Sequence, residues 1–490
     1  MRKLVYPTLL ILLSLSGRAE DVPSRGNCKW SALPPKAKEI ATRSRSLVCD
    51  GKIASISLAI AQDGKIVCEQ SYGWADREHH VAATPGTPYA AGSVAKSLTG
   101  TAVFLLSQRG KLRLNDTPEH LGVKIRKVTG QTITIGELLS MTAGVPHGWF
   151  YATDRSYDEK YILQRYAIGA FPAHRSFDYS NLSFGVLGEI VASVSGTPYS
   201  RFLDEQILGP LGMKQSGFEP RPENTAVGYQ DGQPYPRYEF YPQAAGGFYT
   251  SVHDLALFGL FHLGERKAPL SPAGLRALHT PPDIDLSHRG YFAGWATIDL
   301  GGQPLWLSNG NVNAGAATLV VMPGKKVVIA CATNTPSDSV DETAFQLADT
   351  YSPGLMDHFA ELRKKVEADE GPKPFKASSG YEGRWVGALE VPGANVPAEL
   401  IFAGDKVGIA INKRLPVPVK GLRFETGKLM GSADVSVELP GLGSENTVEF
   451  ELQPDGTRLF GVLRVRSKGN SPGYGLPVSI SLARNSHEHS

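Results

Sequence analysis

The sequence predicts an α/β domain followed by an all-β domain, and three features carry that expectation. Strand-like runs stand at both ends of the first two-thirds of the chain, with helical patterns filling the middle, so one sheet would be assembled from distant segments. A polar, Pro- and Gly-bearing stretch, ADEGPKPFKASSG, then reads as a linker. Beyond it, short alternating runs (GRWVGALEV, AELIFAG, KVGIAIN, VSVELPG, TVEFELQ, RLFGVLRV, PVSISLA) are separated by Gly, Pro and Asn-Lys turns, the pattern of a barrel or sandwich of about 110 residues.

In chain order, MRKLVYPTLLILLSLSGRAE opens with Arg2 and Lys3, continues with an apolar run too short to span a bilayer comfortably, and offers Gly17 and Ala19 as small residues near its end. It is expected to be a cleaved signal peptide, residues 1–19, which would place the protein in a periplasm or outside the cell. Its removal takes three of the 50 basic residues and leaves 47 against 48 acidic ones. That balance argues against a general nucleic-acid partner, and no later stretch is apolar enough for a stable membrane span.

Residues 33–48 look helical. ASISLAIAQDGKIVCEQSYG holds two β-prone runs around Asp63-Gly64, a pair suited to a tight hairpin. A helix is expected over 93–109 and stops at Gly110, with further helices over 134–141, 182–195, 199–208 and 251–262. ATLVVM and KVVIACAT, joined by Pro323-Gly324-Lys325, return to strand. The expected units are therefore residues 20–365, a linker over 366–378, and a β-domain over 379–490. Four cysteines allow three disulfide pairings: Cys28 and Cys49 flank the first helix and could staple it, while Cys68 and Cys331 fall in strand-like runs where a thiol often behaves as a buried hydrophobe. No CxxC or histidine cluster suggests a metal, and no cofactor is expected.

The chemistry centres on Gly92-Ser93-Val94-Ala95-Lys96 at a helix start. Ser and Lys three apart share a helical face. A serine hydroxyl needs a base, and a lysine in a water-poor site can be neutral enough to serve. The helix N-terminus adds N–H groups suited to an oxyanion.

Around this pentapeptide, TPYAAGSVAKSLTGTAVFLLSQRGKLRLND, ITIGELLSMTAGVP, FDYSNLSFGVLGEIVASVSG, ILGPLGMKQSGF and AAGGFYTSVHDLALF follow one another. Over about residues 33–355 this ordered set resembles the serine β-lactamase and penicillin-binding-protein superfamily, especially class C β-lactamases, D,D-peptidases, D-aminopeptidases and related esterases. Ala143 stands where that family has a serine. The resemblance implies an antiparallel five-stranded sheet flanked by helices with a helical subdomain, and a lipocalin-like C-terminal barrel of the kind appended to some exported members. It implies Ser93 as the acylated nucleophile, Lys96 as its deprotonating partner, Tyr179 as a phenolate-like proton shuttle, and Asn181 as a ligand of Lys96 and of a substrate amide.

The third motif departs from the family. Where relatives carry Lys-Thr-Gly or His-x-Gly, LWLSNGNVNAGAATLVVMP places Ser308-Asn309-Gly310, so a cation that helps hold a substrate carboxylate becomes a neutral hydroxyl. Losing such a charge-assisted bond costs about 1.5–3 kcal/mol. The backbone N–H of Asn311 would supply the second oxyanion donor beside that of Ser93, with Gly310 allowing close approach. Aromatic-rich stretches (Trp149, Phe150, Tyr151, Tyr157, Tyr161; Tyr229, Tyr235, Tyr238, Tyr241) could wall a cleft or pack long loops equally well, and His147 reads as a loop histidine. The resemblance thus implies a serine hydrolase of a small ester, amide or D-amino-acid peptide, cell-wall-derived peptides included. A class C-like β-lactamase, and a non-hydrolysing penicillin-binding or sensor protein on the same scaffold, are the alternatives.

Overall fold

Asp63 and Gly64 both adopt positive φ, +48° and +80°, which makes them the two centre residues of a hairpin turn matched to strand twist. The strands they join, Ser55–Gln62 and Lys65–Asp76, begin the main sheet. The computed structural model describes residues 22–485 except 129, 148–158, 174–175, 219–222, 236–241, 267–268, 282–289, 377–379, 392–393, 436–445 and 468–475. The expected signal segment and Trp149, Phe150, Tyr151, Tyr157, Tyr238 and Tyr241 lie outside the described residues, as does the side chain of Tyr161. Among the described residues no helix is long and apolar enough to cross a membrane.

The hairpin meets the distant end of the domain through Val327–Thr333, whose whole length pairs antiparallel with Ser55–Gln62. Gly315–Met322 and Pro304–Val312 follow in order. These are the five strands expected. Short edge strands (Ser24–Cys28, Val81–Ala82, Trp295–Asp299 and Tyr291–Phe292) widen the sheet to nine. They were not legible because two to five residues carry too little alternation to read.

Central strands are buried on both faces, and alternate residues serve separate cores. Leu58, Ile60, Ile329 and Cys331 pack with Ala37 and Ile40 of the helix Pro35–Cys49 and with Val340 and Leu347 of Ser339–Asp349. Ala59, Ala61, Val328 and Ala330 face the opposite side, with the helices Ala95–Gln108 and Val252–His262. The helical subdomain contributes Ile135–Ser140, Glu159–Tyr166 and Asn181–Ser195. The helix expected over 199–208 is α only at Tyr199–Leu203 and widens to a π-type turn over Asp204–Leu208.

Cys28 lies directly opposite Cys68 in the edge ladder and is bonded to it. The suggested staple from Cys28 to Cys49 is therefore not made: the edge strand, absent from the sequence reading, puts Cys28 against the sheet rather than against the helix. Cys331 is a buried thiol, as expected.

Beyond the helix Leu355–Glu370, Lys373–Pro374 already pairs with the second sheet, opposite Phe424 and Arg423. That sheet runs up and down, and Leu476–Arg484 returns to pair with Gly383–Val391, curling the strands around Trp385, Leu400, Phe450, Leu463 and Leu482. Its ladder stays open between the edges Lys373–Pro374 and Val417–Pro418. The expected barrel is thus an open half-barrel. It touches the first domain where Val462 packs on Ala170 and Phe171.

Candidate active site

The turn that carries Ser93 is cut from glycine. Gly92 takes φ +53° between the short strand Tyr89–Gly92 and the helix Ala95–Gln108, and a methyl group there would lie 2.9 Å from Val312 Cγ1. A methyl on Gly310 would sit 2.2 Å from the Ala91 carbonyl oxygen and 2.3 Å from the Ser93 nitrogen. Glycine at both positions therefore lets the strand Pro304–Val312 lie directly against the backbone of Ser93.

Three side chains meet here. Lys96 Nζ lies 2.8 Å from Ser93 Oγ, and the Tyr179 hydroxyl donates to the same Oγ at 2.8 Å. Lys96 is fully buried, and desolvation holds its pKa well below the ordinary lysine value, favouring the neutral amine. Nζ donates to the Ala245 carbonyl at 2.6 Å and stands 4.9 Å from the centre of the Tyr179 ring. A neutral amine so placed keeps a lone pair for the serine proton. Burial pushes the Tyr179 phenol up to about 12. At rest it holds its proton, since a Lys96 amine that burial drives towards the neutral form does little to stabilise a phenolate.

Tyr179 is fixed by its neighbours. The Asp178 N–H donates to the Met141 carbonyl at 2.9 Å, and Ser180 Oγ donates to the Pro146 carbonyl at 3.0 Å while capping the helix Asn181–Ser195 through the Ser183 N–H. His147 and Tyr291 stand edge-on to the Tyr179 ring, with centroids 5.4 Å and 6.0 Å away. His147, a loop residue as expected, is therefore also a wall of the site. Burial, reinforced by Arg464 and Lys428, lowers its pKa to about 2, so it is neutral.

The remaining expected residues divide. Asn181 is buried at the start of its helix but does not bond Lys96; the Ala245 carbonyl holds the amine instead. Its Oδ1 has no hydrogen-bond partner among the described residues, and neither has Ser308 Oγ, also buried. Asn309 leaves the substrate side: its Nδ2 donates to Asp341 Oδ2 at 3.0 Å, because adjacent strand residues point to opposite faces. The Asn311 nitrogen lies beside Gly92, 3.3 Å from where a methyl there would be. Sequence reasoning missed Ala245, since a backbone carbonyl leaves no mark in residue type; only the family-like AAGG string pointed to it. It also missed Lys428, which lies some 250 positions from the residue it meets.

The Beta-lactamase family model matches residues 38–351. The chain belongs to that family. As a beta-lactamase-family protein it carries a serine-hydrolase fold with a C-terminal half-barrel. It is 30% identical to Protein flp of Staphylococcus aureus (strain MW2) over 229 residues, 44% of this chain and 46% of flp, so it spans about half the length of that relative. Its fold matches the octameric penicillin-binding protein homologue from Pyrococcus abyssi with a TM-score of 0.56 at 21% identity, over 90% of this chain and 99% of that one. It also matches EstCE1, a hydrolase with promiscuous acyltransferase activity, with a TM-score of 0.55 at 20% identity, over 64% of this chain and 98% of that one. At these identities the structural matches speak for the fold alone.

Proposed function

We propose that the protein is an exported serine hydrolase that forms an acyl-enzyme on Ser93, acting on a small ester, amide or D-amino-acid peptide, with uncharged esters and amides the best fit. The observation that carries this reading is the convergence of Lys96 Nζ and the Tyr179 hydroxyl on Ser93 Oγ, each at 2.8 Å. The neutral Lys96 amine takes the serine proton as Oγ attacks the substrate carbonyl. The oxyanion forms towards the backbone N–H groups of Ser93 and Asn311. The proton then passes through the Tyr179 hydroxyl to the leaving group, and water later frees the acyl group by the same route in reverse.

The polar atoms left for a substrate favour uncharged groups. Asn181 Oδ1 can accept from an amide and Ser308 Oγ can donate to a carbonyl, both neutral. A class C-like β-lactamase has a ring carboxylate to hold, and Ser308 brings no charge to it. The short basic and apolar start supports export.

Fluorophosphonate should label the full-length protein and leave Ser93→Ala unlabelled, and p-nitrophenyl acetate should be turned over by the wild type alone. A wild-type protein inert to both fluorophosphonate and a fluorescent penicillin ends the hydrolase reading. Labelling by the penicillin that lasts for hours without turnover would turn it into a penicillin-binding or sensor protein.

A further inference from the structure

Directly before Tyr179 stands Asp178, and the cation that meets its carboxylate comes from the other domain. Lys428, first residue of the half-barrel strand Lys428–Val435, places Nζ 2.8 Å from Asp178 Oδ2 and 3.5 Å from Glu451 Oε2. Glu451 in turn pairs with Arg464, and the Lys428 ammonium lies 4.2 Å from the centre of the Phe171 ring. The Lys428 side chain is only 4% exposed and that of Asp178 14%.

An ion pair this deep is a poor way to hold two domains together. The cost of stripping water from both charges largely cancels their attraction, and the apolar contact of Val462 on Phe171 could be extended to the same end. What the pair does, and an apolar contact cannot, is fix one carboxylate and set the potential around it. Asp178 is already held by its N–H to Met141; Lys428 adds a second point, leaving the adjoining Tyr179 little freedom. The charges reach further. Lys428 and Arg464 both act on His147, which abuts the Tyr179 ring.

We propose that Lys428 is a positioning residue of the Ser93 site: by fixing Asp178 it sets where the Tyr179 phenol stands against Ser93, and the half-barrel is thereby part of the catalytic unit. This rests on the hydrolase reading above. The titratable groups around the pair are Lys96, Tyr179, His147 and Tyr291 on the first domain, and Glu451 and Arg464 on the second.

The test uses full-length protein and Lys428→Met, Lys428→Arg, Asp178→Asn and the double variant Lys428→Met/Asp178→Asn. The readouts are p-nitrophenyl acetate kinetics and the pH dependence of Ser93 labelling by fluorophosphonate. Lys428→Met should lower kcat by about tenfold or more with KM moved less than about threefold, as expected for a group acting on geometry at the reacting centre. The acid limb of the labelling profile, set by the burial of Lys96, should stay in place in Lys428→Met and Asp178→Asn, so that a lower rate with an unmoved limb reads as lost geometry. Lys428→Arg should keep most activity. The double variant should be no more impaired than the poorer single variant, since the two residues act as one positioning unit. Wild-type kcat in Lys428→Met overturns the proposal, as do a displaced acid limb and single-variant effects that simply add. Should Lys428→Met fail to fold by circular dichroism, wild-type kcat in Asp178→Asn overturns it instead. Failure of wild type to label at all strikes the hydrolase reading itself, whereas wild type and Lys428→Met labelling alike strikes only this one.

Discussion

A lysine that the proposed reaction needs neutral is also a cost to the fold. Lys96 in the unfolded chain keeps its proton up to about pH 10.5, while the buried amine gives it up well below that. The unfolded state therefore binds more protons between the two values, and stability is lost as pH falls from the ordinary lysine value towards the folded one. Lys96→Met should abolish Ser93 labelling, by about a thousandfold or more, yet melt higher than wild type at pH 7 in a thermal scan. That advantage should shrink as the pH approaches 10.5. In wild type, labelling should rise with pH to a plateau whose midpoint lies well below the lysine value. Gly310→Ala tests the other half of the site. The added methyl would press on the Ser93 nitrogen and Ala91 oxygen, and overpacking of this kind costs about 1–3 kcal/mol. Acylation, followed by the labelling rate, should suffer more than the melting temperature. Ser93, Lys96 and Tyr179 were legible because each pairs a distinctive residue type with a family string. Asn181 and Asn309 were legible only as positions: which neighbour an amide chooses depends on side-chain direction and on carbonyls that residue types do not display.

At the level of the element, local chemistry spoke clearly wherever it was strong. Asp63-Gly64 announced its hairpin because few other pairs accept positive φ twice. Gly110 marked the end of the nucleophile helix for the same reason. The helix Ile135–Ser140 is held by a reciprocal cap, Thr134 Oγ1 accepting from the Glu137 N–H and Glu137 Oε2 accepting from the Thr134 N–H. It ends at Met141, whose carbonyl holds Asp178. Thr134→Ala should cost about 1 kcal/mol, read as a lower denaturant midpoint, and should slow Ser93 labelling only slightly. The short edge strands escaped notice because their existence is dictated by the ladder they join rather than by their own residues. For the same reason the suggested Cys28–Cys49 link gave way to Cys28–Cys68.

Across the whole molecule, buried histidines make one contribution to the response to acid. His262 and His279 share a hydrogen bond of 2.8 Å inside the first domain, His279 stacked on Trp306 at 3.5 Å, and burial lowers both, His262 to about 3. With His147, they stay neutral in the folded protein while the unfolded chain protonates below about pH 6.5. Their contribution to stability should therefore decline as pH falls from 6.5 towards 3, while the buried carboxyls of Glu159, Asp178, Asp254 and Asp341, raised by burial, contribute in the opposite sense. His279→Gln should flatten part of that decline. The two-domain layout was readable from the change of pattern after the linker, but the seam between the domains was not. Lys428 and Asp178 carry no mark of each other, since a salt bridge across so many residues is fixed by tertiary packing alone.

The main sheet closes late. Gln62 finds its neighbour only at Val327, and Ile56 at Thr333. During synthesis the first hairpin must wait, one flank bare and apolar, until more than half the chain has followed it. Such a flank invites wrong partners, and contacts so remote in sequence form slowly. A growing chain of this kind would gain from being kept extended or escorted until Thr333 has emerged. Halted short of that point, it would be prone to clump rather than to rest as a smaller working enzyme.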